Sequence, residues 1–126
     1  MLRNPGSLAA VVVAALVLLS SGSAAGATPA LETFDAAWGR RAEGARGGVA
    51  LESSVAPAVA AGRRAVAEDP GSLEARWKLM RALYFLGEHA TPGEAARRDV
   101  FDEGKRLGEE TLVLIRRRAG SAAGRD

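Results

Sequence analysis

Residues 65–87, AVAEDPGSLEARWKLMRALYFLG, limit the possible folds more than any other stretch of the chain. Ala65 to Glu68 read as the end of one helix. Asp69-Pro70-Gly71-Ser72 is a turn, because Pro70 presets its own backbone and Asp and Ser bond locally to theirs. Ser72 is placed to cap a second helix, which runs from Leu73 to Leu86 and meets Gly87, the residue best suited to a left-handed stop. Leu79, Leu83 and Leu86 share one side of it, and Leu73, Trp77, Met80 and Tyr84 the side next to that. A helix so broadly apolar has to be covered on more than one side, so the segment demands a stack of helices.

The rest of the chain supplies them. Thr28-Pro29 pairs a capping hydroxyl with proline at a first helical position, and Leu31, Phe34, Ala37 and Trp38 follow at helical spacing. The run 44–48, GARGG, ends that helix and lacks the Gly-Lys-Ser/Thr ending of a phosphate loop. Ser53 or Ser54 is expected to cap the next helix, with Pro57 tolerated in its first turn and Val55, Val59, Gly62 and Val66 on its apolar face. Thr91, Pro92 and Glu94 together read as a capping box opening the last helix. Its seam is Val100, Gly104, Leu107, Thr111 and Leu114, with Phe101, Gly108, Leu112 and Ile115 beside it. Glycine inside a helix costs roughly 1 kcal/mol relative to alanine, so Gly104 and Gly108 imply close approach of the helix holding Trp77. No segment alternates as a half-buried strand does. The expected fold is all-α, with antiparallel hairpins of about four helices over 28–118 and a disordered tail over 119–126.

The first 27 residues stand apart. Arg3 precedes the uncharged run Leu8–Leu19, and the small-x-small triplets at 23–25 and 25–27 offer cleavage sites, the three parts of a secretory signal peptide. A membrane anchor competes, although a span needs roughly 20 apolar residues and this strongly apolar core is shorter. There is no cysteine, hence no lipid-modified cleavage site and no disulfide. An exported protein, periplasmic or secreted, is expected. Membrane contact is expected only through the signal segment if it stays uncleaved. Arginine far outnumbers lysine, found only at Lys78 and Lys105, and with the abundant Ala and Gly this points to a high-GC bacterial coding sequence.

Lys and Arg total 17 and Asp and Glu 15, with both signs interspersed. Nucleic-acid binders concentrate basic charge on one face. The single basic run, Arg116-Arg117-Arg118, suits a helix C-terminus, where cations complement the dipole. No nucleic-acid partner is expected.

In these residues the chain resembles tetratricopeptide-repeat proteins, whose helical hairpins stack into binding scaffolds. Ala58, Ala65 and Pro70 match the second helix and end of one repeat. Ala75, Leu79, Ala82, Tyr84, Leu86 and Gly87 match the first helix of the next. Thr111-Leu112 stands where Ala65-Val66 should recur, with an excess of about a dozen residues assigned to the loop at 89–92. The first repeat's opening helix lacks the family signature, Met80 stands where a small residue is usual, and arginines replace the closing proline.

The resemblance implies a groove lined by the first helix of each repeat, and so by Glu74, Trp77, Arg81, Tyr84 and Phe85. Trp, Tyr and Arg are the residue types that anchor interfaces, and Arg81 can pair with a carboxylate or a chain terminus. Against this, Trp77 and Tyr84 could simply pack on the last helix with Arg81 solvated. The expected function is a protein- or peptide-binding adaptor. The alternative is an accessory solute-binding component like the T component of TRAP transporters, taking a small apolar or anionic ligand. Catalysis is not expected, nor a cofactor or a metal. His89 is the single histidine, and Asp99, Asp102, Glu103, Glu109 and Glu110 lie among arginines and lysines that serve as helix ion-pair partners.

The export reading is checked by intact mass. Expressed in an exporting bacterium, the full chain should be recovered beginning at Gly26 or Thr28, and recovery of the whole precursor would contradict cleavage.

Overall fold

The structure is a computed structural model that describes residues 28–91 and 93–124. Four α-helices follow in order: α1 (Pro29–Gly39), α2 (Glu52–Glu68), α3 (Leu73–Phe85) and α4 (Glu94–Ala123). There is no strand among the described residues, and the protein is all-α. The 1–27 segment and Pro92 lie outside the described residues. No described helix is long and apolar enough to cross a membrane.

Each helix packs mainly on its neighbours in sequence, α1 on α2, α2 on α3 and α3 on α4. Gly62 meets Leu79 while Ala65 meets Ala75, and Gly104 meets Leu83 while Gly108 meets Met80. Rising numbers on one helix face falling numbers on the next, so the succession is antiparallel. The core centres on Phe34, Val55 and Leu83, each fully buried, with Ala58, Ala61 and Ala82 between the helices. Each large side chain so buried contributes roughly 1.5–3 kcal/mol. The alanines set how closely the helices approach.

Two helix starts form as the sequence implies. The Thr28 hydroxyl accepts from the Leu31 N–H at 3.3 Å, and the Ser72 hydroxyl accepts from the Ala75 N–H at 3.1 Å. Two others differ. Helix α2 begins earlier, after Leu51, with no side-chain cap. The Ser54 hydroxyl instead donates to the Glu43 carbonyl at 2.8 Å, tying the helix to the preceding loop. Pro57 therefore lies in the second turn. In that loop Gly47 and Gly48 both have positive φ, and Arg46 and Val49 exchange both backbone hydrogen bonds around them. That is the two-glycine hairpin turn such a pair favours.

The end of α3 departs furthest from expectation. Gly87 is not a left-handed stop: the helix passes through it into a π-helical turn, Leu86–Ala90. Thr91 closes that turn rather than opening α4, with both its N–H and its hydroxyl donating to the Leu86 carbonyl at 2.8 Å. Helix α4 starts after Gly93, which has a φ of 87°, and Glu94 pairs with Arg98 at 3.5 Å instead of completing a capping box. Gly87 is needed for space. A Cβ there would sit 2.8 Å from Phe101 Cε1. At the other end α4 continues to Ala123, past the point at which the sequence places the tail, with its last turns exposed.

Gly104 and Gly108 of α4 do face the helix holding Trp77, but at ordinary contact distance: a Cβ at Gly104 would stand 3.9 Å from Leu83 Cβ. Gly87→Ala should thus cost about 1–2 kcal/mol through overpacking. Gly104→Ala should raise stability by about 1 kcal/mol through helix propensity. Urea denaturation of the two variants tests both signs.

Candidate functional site

Helices α1 and α3 both rest on α2, and their outward faces meet in a strip of aromatic and cationic side chains. On α1 and the turn after it, Asp35, Trp38 and Arg41 recur every three residues. On α3, Glu74, Trp77, Lys78, Arg81 and Phe85 fall within one helical face. Trp38 is at the centre. It stacks on Phe34 with ring centroids 6.1 Å apart and meets the edge of Phe85 at 5.6 Å. The guanidinium carbons of Arg41 and Arg81 each stand 4.2 Å from the Trp38 ring centroid. Arg81 also lies 4.8 Å from the Trp77 ring, and Arg41 5.5 Å from Phe85. Cations at such distances are held by the ring quadrupole, at about 0.5–1 kcal/mol each where exposed. His89, on the π-helical turn, extends the strip with its ring 4.8 Å from Phe85.

Lys78 ties the two helices together. Its side chain is only 9% exposed, yet its ammonium reaches Asp35 on α1 at 2.7 Å and Glu74 on α3 at 2.9 Å, both half-exposed. The stem is buried and the charge sits at the edge of the strip. Burial disfavours the charged form, but the hydrogen bonds to Asp35 and Glu74 outweigh it and raise the Lys78 pKa above its ordinary value. Lys78 thereby holds both acids of the strip through one ammonium, leaving the five charged groups with one net positive charge. Arg41 and Arg81 form no ion pair among the described residues. The Arg41 Nη1 donates to the Trp38 carbonyl at 2.9 Å, while its Nε is buried without a hydrogen-bond partner.

Of the residues expected to line a groove, Glu74, Trp77, Arg81 and Phe85 come together here. Trp77 is 46% exposed. Tyr84 parts from them: 61% exposed, its ring pairs with Phe101 of α4 at 6.2 Å, across an apolar cleft of about 250 Å³ that also takes in Met80, Val100 and Gly104. The sequence reading missed Asp35, Trp38, Arg41 and Lys78 as members of the site. Trp38 was visible only as part of an apolar stripe, and the three-residue recurrence through Arg41 was its sole further signal.

The carboxylates of α4 are partly explained by ion pairs. Glu103 accepts from Nη2 and Nε of Arg63 on α2, at 2.5 and 2.9 Å, a contact between helices rather than within one. Lys105 and Glu109 approach to 4.0 Å. Among the described residues no group of three or more His, Cys, Asp or Glu could hold a metal ion. No protein-family model, curated protein or solved structure matches the chain.

Replacing Lys78 by methionine keeps the buried stem and removes both ion pairs, so it should cost about 1 kcal/mol. Because the folded pKa is raised, that contribution is complete below the ordinary lysine pKa of about 10.4 and is lost as pH rises through the folded value. Denaturation should find the difference between wild type and Lys78→Met constant from neutral pH upward, shrinking only in strong alkali.

Proposed function

We propose that the chain is an exported protein- or peptide-binding adaptor with a tetratricopeptide-like arrangement, and that it receives a carboxylate-bearing segment on the α1–α3 face. The carrying observation is the pair Arg41 and Arg81, both stacked on Trp38 and both without an acidic partner among the described residues, while Lys78 bonds both local acids. Arginine held by an aromatic ring keeps its planar fork oriented for a carboxylate. Exposed Trp77 supplies the apolar anchor such interfaces favour. The resemblance to tetratricopeptide repeats supports the same face, since the first helix of each hairpin lines it. His89 packs its ring on Phe85 and so extends the aromatic part of this face.

A second reading, accessory solute binding, draws on the apolar cleft between Tyr84 and Phe101. At about 250 Å³ it falls below the roughly 300–1,000 Å³ of ordinary ligand pockets. The adaptor is the stronger of the two.

The test uses the full chain against a peptide library presented with free and with amidated C-termini. Acidic or free-carboxylate peptides should be retained. Trp38→Ala and Arg81→Ala should each weaken binding about tenfold or more, in the range of interface anchors, with circular dichroism unchanged. Binding blind to peptide charge would remove the role given to the arginines. No peptide bound by a folded chain, together with a saturable shift in melting temperature on adding small metabolites, would favour the solute reading.

A further inference from the structure

A second hollow shares no residue with the α1–α3 face. It lies where the α2–α3 turn meets the C-terminal half of α4, and is bounded by Pro70, Gly71, Arg76, Glu110, Val113, Leu114 and Arg117. Its volume, about 440 Å³, is within the range of small-molecule sites. We propose that this hollow binds a small organic carboxylate, with Arg76 and Arg117 taking the acid group and Pro70, Val113 and Leu114 the hydrocarbon.

Arg76 is the deciding residue. It is 9% exposed, and its Nε donates to the Pro70 carbonyl at 2.8 Å, which fixes the guanidinium against the turn. Its Nη1 is buried and has no hydrogen-bond partner. The nearest acid oxygen, Glu110 Oε2, stands 3.6 Å away, beyond hydrogen-bond reach. A buried charged donor left in this way is costly, and a planar carboxylate is the group whose geometry best matches the fork.

The surroundings agree. Arg117 adds a second positive charge to the lining, and Arg118 donates to the Gly71 carbonyl, pinning α4 to the turn. Glu110 is the one acid of the lining, and its side chain is 66% exposed. It occupies the ligand's electrostatic place loosely and can turn into water at little cost, as exposed ion pairs contribute little. The apolar wall selects against a bare inorganic anion. A ligand with an acid head and a short apolar body uses both halves of the lining.

Because α4 runs on to Ala123 with no basic residue in its last turn, the basic run 116–118 does not serve the helix dipole as the sequence implied, and its use lies here. One arginine braces the site and another lines it.

Calorimetric titration of the full chain with hexanoate, acetate, inorganic phosphate and chloride at matched ionic strength tests the site. Hexanoate should bind saturably and about tenfold tighter than acetate, since each buried methylene adds to transfer free energy, and phosphate should bind no better than acetate. Arg117→Ala should weaken hexanoate about threefold and Glu110→Gln should tighten it about threefold. Neither substitution touches the packed interior. Trp38→Ala should leave hexanoate affinity unchanged, which separates this site from the α1–α3 face. Equal affinity for hexanoate and acetate, phosphate binding as tightly as hexanoate, or indifference to both hollow substitutions would each overturn the assignment.

Discussion

The close contact of α2 with α3 governs the rest of the molecule. Ala58, Ala61, Gly62 and Ala65 give α2 a surface with almost no side-chain depth, all of it buried. At Gly62 even a methyl group would come within 3.3 Å of the Leu79 backbone. With α3 drawn in on one side and α1 packed on the other, the two helices lie near enough for their side chains to interlock. Lys78 can then span from α3 to Asp35 of α1. A bulkier α2 would separate Trp38 from Arg81, and the strip built on them would not exist.

The strip shows how a chain with a nearly balanced charge makes a locally cationic surface. Two acids and three bases meet there, and the one lysine takes both acids. The balance is one net positive charge, presented by a pair of arginines held on indole and phenyl faces. The electrostatic character follows from pairing geometry rather than composition. The hollow beneath the α2–α3 turn repeats the theme on a smaller scale, with Arg76 anchored through a backbone carbonyl and its acid neighbour just out of reach.

Much of the fold was legible in the residues. The caps at Thr28 and Ser72, the turn at 69–72 and the apolar breadth of α3 each act through contacts a few residues apart, and such signals survive folding. The misreadings between α3 and α4 share one cause. Gly87, Thr91 and Glu94 carry standard stop and start chemistry, but Phe101 of α4 needs the space above Gly87. The chain meets that demand with a π-helical turn that Thr91 closes. Local propensity favoured two conformations, and a contact between distant residues chose between them. The same limit applies to the site: Trp77, Arg81 and Phe85 share a helix and could be grouped from spacing, whereas Trp38 and Arg41 belong to it only because α1 is laid beside α3.

The sequence alone determined the all-α class, the order of the helices, two of their caps and the residues of α3 that face outward, because periodicity and capping are local properties. Tertiary structure decided which arginines keep their charge uncompensated, that Tyr84 turns to α4 while Trp77 stays with Arg81, and that Arg76 is buried with a donor unused. Those outcomes depend on distances between residues far apart in the chain, set by how closely a helix of alanine and glycine lets its neighbours approach.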